Sequence, residues 1–274
     1  MKIAIIGCGE PGAFHARIAA QSGHDIVAIA SPVSSRTEHV LSAINAGKHV
    51  FCEAPLARSV AEATRILDAA QSANTKVFVG HTTRYSRPYR TLAAQIESGA
   101  IGTPGFVKTY RGDVFAPGKD IIFDLLIHDF DWLASMLGPP TSIFCHCLGP
   151  QEGRSIDYAA ATLTFASGVI AQTIGTRART SGSRYAVEIV GDAGLARYDS
   201  DETPVQVTRY SDAFTDTSNP LLDDPHQHEW DDFIAYVENG TEPKATLNGA
   251  VEAVRMAEAA LRSIETSAPQ TVDR

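Results

Sequence analysis

The chain has 274 residues, which is enough for one large or two ordinary domains with a substantial hydrophobic core. Its net charge of −9 disfavours nucleic acids and anionic membrane surfaces as general partners, and we expect neither. A hydrophobic content of 44% without a run of about eighteen apolar residues, an N-terminus without a secretion-signal pattern and only 4 cysteines predict a soluble, cytoplasmic protein that neither spans a membrane nor depends on disulfides.

The first 80 residues alternate short β-branched runs with amphipathic stretches. This alternation is typical of a parallel sheet flanked by helices. The predicted strands are Lys2–Ile6, Ile26–Ala30, His49–Cys52 and Lys76–Val79. The predicted helices between them are Gly12–Ser22, Ser35–Ala46 and Val60–Ser72.

From Pro104 the pattern changes to a period of two, which predicts an open, mostly antiparallel sheet with one face in contact with water. The predicted strands are Gly105–Tyr110, Thr141–Leu148, Asp157–Ala166, Val169–Thr176, Arg184–Val190 and Val205–Tyr210. The remaining predicted helices are Tyr89–Ser98, just before this region, and Ile127–Leu137, His228–Glu238 and Leu247–Thr266 within it. We therefore expect an α/β domain over residues 1–103 and an α+β domain over residues 104–274.

A glycine turn follows the first predicted strand. The residues Gly7-Cys8-Gly9-Glu10-Pro11-Gly12 fit the G-x-G-x-x-G pattern between a strand and a helix. Such glycines permit a tight turn and bring a pyrophosphate close to backbone N–H groups at a helix N-terminus, so we expect all six residues to bind a dinucleotide. The acidic residue that a complete fingerprint places about 20 residues further on is missing, because the next strand ends in Ser31-Pro32.

Four motifs resemble the glucose-fructose oxidoreductase / inositol dehydrogenase (Gfo/Idh/MocA) family. They are ASPVSS at Ala30–Ser35, AGKHVFCEAPL at Ala46–Leu56, VGHTTRY at Val79–Tyr85 and DLLIHDFD at Asp124–Asp131, and their order spans nearly the whole chain. The resemblance implies a Rossmann domain followed by an open antiparallel sheet that helps form the substrate cleft and the contacts of a homo-oligomer. It also implies hydride transfer between NAD or NADP and a hydroxyl carbon of a sugar, cyclitol or related small molecule.

The chain departs from the family in two places. The family usually has a lysine between the Glu and Pro of the second motif, and this chain has Ala54, whose methyl group can neither donate a hydrogen bond nor carry a proton. In addition, the strand, helix and edge strand that precede Ser31-Pro32 in the family are absent. If the family strand order 3-2-1-4-5-6 applies, the missing part is the adenosine side and 1-4-5-6 remains. We therefore expect a truncated Rossmann sheet with weak or lost NAD(P) binding, in which Ser31, Pro32 and Glu53 contact what remains of the cofactor.

Asp124 and His128 are the candidate acid/base pair. At a spacing of four residues they share a helix face, where a carboxylate can orient an imidazole. The resemblance implies proton transfer by His128, with Asp124 in support, and Asp131 extends the same row as a substrate contact. Glu53 ends its strand and is a candidate for the nicotinamide ribose or, without a lysine beside it, for a base.

His81, Arg84 and Tyr85 follow the last strand of the parallel sheet, where ligands of such sheets collect, and are candidate substrate contacts. The pattern Cys145-His146-Cys147, with His226 and His228 elsewhere, does not have the spacing of a compact zinc motif. We therefore expect no metal site. A divalent cation bound by Asp124, His128 and a distant histidine, in place of the lysine, remains an alternative.

The leading functional hypothesis is an oxidoreductase that acts on a small polar substrate and uses NAD or NADP. Because Ala54 and the missing edge both weaken the redox machinery, two alternatives stay open. One is a non-redox lyase, isomerase or hydrolase that uses His128 and Asp124 on the same scaffold. The other is a non-catalytic subunit that stabilises an intact relative.

Overall fold

The computed structural model describes residues 3–7, 26–116, 120–149, 157–202, 206–209 and 223–272. The chain forms two compact units, one of Met1–Tyr85 with Asp224–Arg255 and one of Ser86–Asp223 with Met256–Arg274. This division by contacts is discontinuous and differs from the predicted division at residue 103, because part of the C-terminal region packs with the first unit.

The first unit is built on a parallel sheet whose described strands run in the order β1-β2-β3-β4. The strands are β1 Ile3–Ile6, β2 Ile26–Ile29, β3 His49–Glu53 and β4 Val77–Gly80. Helices α1 Val33–Asn45 and α2 Val60–Ser72 connect them. This is the order expected of a 1-4-5-6 remnant, with β1 at the edge of the described sheet. The predicted helix Gly12–Ser22 lies outside the described residues.

An aromatic cluster explains why residues 224–255 belong to the first unit. Helix α5, Pro225–Asn239, carries Trp230 and Phe233 into the buried face of the sheet. The rings of Phe51 in β3 and Trp230 stack with centroids 4.9 Å apart, and Phe233 lies 5.6 Å from both Phe51 and Phe78. Burying large aromatic surfaces in this way fixes α5 on the sheet.

Tyr85 fastens the same region by hydrogen bonds. It follows the 3₁₀ turn Thr82–Arg84 and is buried, and its hydroxyl donates to Asp232 Oδ2 at 2.6 Å and accepts from the backbone N–H of Ala245 at 3.2 Å. The backbone N–H of Lys244 donates to the same Asp232 oxygen at 2.8 Å. Burial, together with the bond to Asp232, raises the pKa of the Tyr85 hydroxyl, which remains protonated and acts as a fixed donor.

The second unit is built on a mixed sheet in the order β11-β10-β9-β5-β8-β7-β6-β12, antiparallel throughout except for the parallel pair β5 and β8. Its strands are β5 Pro104–Val114, β6 Pro140–Leu148, β7 Tyr158–Phe165, β8 Ile170–Arg179, β9 Arg184–Gly191, β10 Gly194–Asp199, β11 Gln206–Arg209 and β12 Gln270–Thr271. Helices α3 Arg87–Glu97 and α4 Ile127–Leu137 accompany it, and α6 Leu247–Thr266 passes from the first unit into the second. The predicted fold class is confirmed; β10 and β12 were not predicted.

A π-helix, Ile122–Leu126, leads directly into α4. Asp120 caps the N-terminus of this helix, because its Oδ1 accepts hydrogen bonds from the backbone N–H groups of Ile122 at 2.8 Å and Phe123 at 2.9 Å. Gly175 of β8 lets this segment lie close to the sheet, because a Cβ there would be 2.8 Å from Leu126 Cδ2. Segments of this kind often mark functional sites.

The structure has no helix, within the residues it describes, that is both long enough and apolar enough to cross a bilayer. The uncovered face of the second sheet does present apolar side chains to the surroundings, including Tyr158 at 38% and Ile170 at 43% exposure.

Replacing Tyr85 by Phe should lower the free energy of unfolding by about 1–2 kcal/mol, because Asp232 loses a donor and the Ala245 N–H loses its acceptor without any change in packing. Chemical denaturation monitored by tryptophan fluorescence measures the loss. Tyr158→Phe, on the exposed sheet face, is the matched control and should change stability by less than about 0.5 kcal/mol. Equal effects of the two substitutions would contradict the fastening role of the Tyr85 hydroxyl.

Candidate functional site

The carboxyl ends of the four parallel strands meet at one edge of the first sheet, the place where such sheets bind ligands. Gly7 follows β1 with a φ of +114°, and a Cβ added to it would lie 2.5 Å from the carbonyl oxygen of Ala30. The backbone N–H of Ala30 in turn donates to the carbonyl of Ile6 at 2.8 Å. Glycine is therefore required at position 7 by the contact between two strand ends. Cys8–Gly12, the rest of the predicted turn, lies outside the described residues.

Arg36 ties the ends of β2 and β3 together. It lies in α1, it is buried, and its Nε and Nη2 atoms donate to the carbonyl of Ser31 at 3.2 and 2.7 Å. Its Nη1 atom donates to the carbonyl of Glu53 at 3.0 Å and to that of Pro55. Four of the five guanidinium N–H groups are thus held by backbone carbonyls. This residue was not predicted, because the spacing of apolar residues in α1 does not distinguish Arg36 from a solvent-exposed arginine.

Ser31 is itself buried, and its hydroxyl lies 3.0 Å from His39 Nδ1, within the unit. Pro32, by contrast, is exposed. Glu53 and Ala54 are half-buried at the next strand end. A carboxylate there suits the hydroxyls of a ribose, whereas Arg36 is committed to carbonyls and is not available to an additional phosphate. Among the described strand ends, Glu53 therefore offers a carboxylate acceptor, while the buried guanidinium of Arg36 is already occupied by carbonyls.

A second cluster at this edge involves the start of α5. Glu229 is 1% exposed, and its Oε2 accepts a hydrogen bond from the Thr82 hydroxyl at 3.2 Å and lies 3.4 Å from His226 Nδ1. Its Oε1 lies beside Gly80, where an added Cβ would be 3.4 Å away. Glu53 pairs with Gly80 in the sheet register, which places the cluster beside the end of β3. The sequence signal that was missed is a His and a Glu three residues apart on a first helical turn.

The three predicted substrate contacts after β4 have different surroundings. His81 is buried, and Tyr85 is buried with its hydroxyl bonded to Asp232 and Ala245. Arg84 is half-buried and donates from Nη1 to the carbonyl of Lys244 at 2.6 Å. Through these contacts Tyr85 and Arg84 bind the segment that contains Asp232, Lys244 and Ala245. Their role toward substrate stays a prediction.

The predicted acid/base pair lies in the second unit. Asp124 is in the π-helix and His128 in the first turn of α4, and both are half-buried. Asp124 Oδ2 accepts the backbone N–H of Asp120 at 2.6 Å, while the N–H of Asp124 donates to the Asp120 carbonyl at 2.9 Å. This reciprocal pair fixes the orientation of the Asp124 carboxylate one turn before His128.

Buried charges support the same helix from the sheet. Arg111 of β5 forms an ion pair with Asp129 of α4, with Nε 2.7 Å from Oδ2, and both side chains are buried. Asp131, a predicted substrate contact, is also fully buried. The Arg111–Asp129 pair, which the sequence analysis missed, anchors α4 next to His128. Breaking such a buried pair leaves an uncompensated charge.

Metal-ligating side chains do not assemble in the part of the chain that the structure describes: no group of three His, Cys, Asp or Glu residues there could hold a metal ion. Cys145 is buried, and burial raises the pKa of its thiol to about 12, so it is not a thiolate ligand at neutral pH.

Comparison with known proteins identifies the family. Residues 14–81 match a model described as an oxidoreductase family with an NAD-binding Rossmann fold, and residues 89–197 match the GFO/IDH/MocA C-terminal domain. An inositol 2-dehydrogenase of Acidiphilium cryptum is 32% identical over 276 residues, which cover 91% of this chain and 76% of the relative. The chain belongs to the Gfo/Idh/MocA family. The resemblance inferred from the motifs is confirmed, and the protein is a member of an oxidoreductase family with its NAD-binding Rossmann domain.

Further relatives are similar to this chain in sequence or in structure. Myo-inositol 2-dehydrogenase of Thermotoga maritima is 27% identical over 263 residues, 88% of this chain and 78% of the relative. A probable dehydrogenase structure from Thermotoga maritima superposes with a TM-score of 0.83 at 23% identity and covers 99% of both chains. UDP-N-acetylglucosamine 3-dehydrogenase from Acidithiobacillus ferrooxidans has a TM-score of 0.85 at 20% identity, over 97% of this chain and 98% of the other. The structural matches establish the fold.

Replacing Arg36 by Met should lower the free energy of unfolding by about 3 kcal/mol, because three backbone carbonyls at the strand ends lose their donors. Thermal and chemical denaturation measure the effect. Arg65→Met is the matched control, because Arg65 is exposed and pairs only loosely with Glu38, at 3.3 Å; it should cost less than about 0.5 kcal/mol. If Arg36→Met were as stable as the control, the guanidinium would not be the tie between β2 and β3.

Proposed function

We propose that the protein is an NAD(P)-linked oxidoreductase of a small polyhydroxylated substrate such as a sugar, a cyclitol or a hydroxy acid. The observation that carries this proposal is the strand order of the NAD-binding domain, in which Gly7, Glu53 and His81 lie at the carboxyl ends of three of the four parallel strands. Relatives named inositol dehydrogenases, at 27–32% identity over most of the chain, support the substrate class.

Each role is proposed for residues of this chain by name. Glu53, with the turn Gly7–Gly12 and the loop Ser31-Pro32, holds the nicotinamide side of the dinucleotide, which when bound accepts a hydride from the substrate carbon. His128 takes the proton of the substrate hydroxyl. Asp124 supports it by supplying a fixed negative charge one helical turn earlier. The half-buried positions of Asp124 and His128, and the fixed orientation of the Asp124 carboxylate one turn before His128, support these roles. His81, Arg84 and Asp131 are proposed to assist with substrate.

The dinucleotide is proposed to bind weakly. The sheet has no described strand beyond β1, and the chain spans 76–78% of the length of two inositol dehydrogenase relatives. Because contacts to adenosine supply much of the binding free energy of such cofactors, their removal should raise the dissociation constant. Ala54 removes a further donor beside Glu53.

A non-redox reaction on the same scaffold is the second candidate. The specific observation in its favour is that position 54 carries a methyl group, so a lyase or isomerase that uses only His128 and Asp124 would need no donor there. Turnover without added cofactor would distinguish it from the first candidate.

A homo-oligomer through the second sheet is also proposed. The exposed apolar side chains of Tyr158 and Ile170 lie on neighbouring strands of its uncovered face, where a second copy would remove them from water.

Calorimetric titration of the purified protein with NAD, NADH, NADP and NADPH should yield dissociation constants above about 1 µM, weaker than about 8 kcal/mol of binding free energy. The expected weakness follows from the missing adenosine side. Sub-micromolar affinity for any of the four would show that the remaining turn and strand ends suffice for tight binding. An intact inositol dehydrogenase relative is the positive control.

His128→Ala should lower kcat with the best substrate of a sugar and cyclitol panel by at least about 100-fold, because no other group takes the hydroxyl proton. Asp124→Asn keeps an acceptor for the Asp120 N–H and removes only the charge, so kcat should fall by about 10-fold or more while the melting temperature stays near that of the wild type. Absorbance at the nicotinamide band measures both rates. His146→Gln, on an exposed strand position, is the control. Unchanged turnover in His128→Ala would remove His128 from the mechanism.

A further inference from the structure

The two carboxylate oxygens of Glu229 have unequal surroundings. Oε2 accepts from Thr82 and faces His226, whereas Oε1 is buried beside Gly80 with no hydrogen-bond partner among the described residues. An ionised carboxylate with one unsolvated oxygen is costly, and the neutral acid is much less so. Burial accordingly raises the pKa of Glu229 to about 7, against the opposing effect of the nearby His226 imidazole, and the charge of Glu53 raises this pKa further.

His226 is the accessible partner of this buried acid. Its side chain is 40% exposed, and the Glu229 carboxyl group 3.4 Å from Nδ1 raises the pKa of the imidazole above its ordinary value, against an opposing effect of partial burial. The charges of Glu53 and Asp224 raise the same pKa. The groups that act on the pair are thus Glu53 from β3, Asp224 from the cap of α5 and, beyond the 3₁₀ turn, the protonated Tyr85. All of them lie within the first unit.

The charge of this cluster depends strongly on pH. With Glu229 neutral and His226 charged, the imidazolium balances Glu53 and the three side chains sum to about zero. With Glu229 ionised and His226 neutral, they sum to about −2. Burial raises the pKa of Glu229 to about 7 and the neighbouring carboxylate raises the pKa of His226 above its ordinary value, so the two groups titrate as a coupled pair.

This cluster lies where an anionic ligand is expected. Glu53 and Gly80 are register partners at the carboxyl edge, and Glu229 contacts Gly80. At the same edge, Arg36 is committed to backbone carbonyls and Ala54 has no polar side-chain atom. His226 is therefore a partly exposed side chain beside Glu53 and Glu229 that can carry a positive charge and release its proton.

We propose that His226 and Glu229 form a proton-linked dyad that binds the anionic dinucleotide, with Glu229 as the positioning residue and His226 as the hydrogen-bond donor. Ligand binding and proton uptake then favour each other, so affinity is higher below neutral pH and falls as the pH rises. The inference rests on the proposed function and adds a regulation of its cofactor step. It also explains how an edge without a lysine at position 54 accommodates negative charge.

The test is calorimetry with NADH, whose phosphodiesters do not titrate in this range, at pH 6 to 8.5 in two buffers of different ionisation enthalpy. We expect uptake of a fraction of a proton on binding at pH 7.5 and a dissociation constant at least about fivefold larger at pH 8.5 than at pH 6. His226→Gln and Glu229→Gln should each remove most of the uptake and flatten the pH dependence. His228→Gln, on the same helix, is the matched control and should retain both.

A readout without ligand accompanies it. Histidine-selective NMR titration should place the pKa of His226 above 6.5 in the wild type and lower it in Glu229→Gln, and His226→Gln assigns the resonance. If Glu229→Gln fails to fold, Thr82→Ala removes one donor to the carboxylate, which should raise the pKa of Glu229 and thereby lower the pKa of His226 without burying a new group.

The outcomes separate the two proposals. Binding that is independent of pH, or that keeps its proton uptake in both variants, overturns the dyad and leaves the proposed function in place. Absence of heat with every dinucleotide at every pH overturns the cofactor proposal. A His226 pKa at or below 6.5 that does not respond to Glu229→Gln overturns the dyad in any case.

Discussion

One buried guanidinium holds together the edge on which the first unit depends. Arg36 reaches from α1 to the carbonyls that follow β2 and β3, and so joins the Ser31 loop to the Glu53 turn. A parallel sheet leaves unpaired carbonyls at its strand ends, and burying them without donors is costly. The same contacts that stabilise this edge also withdraw its buried cation from any ligand, which limits how the edge can bind an anion.

The shortened sheet shows which parts of a dinucleotide-binding fold are separable. The strands β1 to β4 keep their parallel order and register although the family segment before Ser31 is absent. Their stability is supplied locally by buried runs in β3 and β4 and by the stacking of Phe51 on Trp230 of the returning helix. The described core of this unit thus lies among β2, β3, β4 and α5.

The chemistry of the site is correspondingly redistributed. Position 54 has lost its usual polar group, while two half-buried clusters retain titratable side chains: Asp124 with His128 in the second unit, and Glu229 with His226 in the first. In each case a backbone or hydroxyl hydrogen bond fixes the carboxyl group, and Glu229 is held within 3.4 Å of the His226 imidazole. A carboxyl group held in this way controls the charge of its neighbour, which a flexible surface pair cannot do.

The sequence by itself determined the two sheet types, most of their strands and the family, because hydrophobic period and ordered motifs are local signals. It also placed Asp124 and His128 in one helical stretch, although it did not predict the π-helix that contains Asp124, because the hydrophobic period does not record a π-turn. Only the tertiary structure decided the roles of Arg36, Arg111 and Glu229. Each looks like an ordinary charged residue in the sequence, and its function arises from burial against partners 17, 18 and 147 residues away, a distance in sequence that no local pattern records.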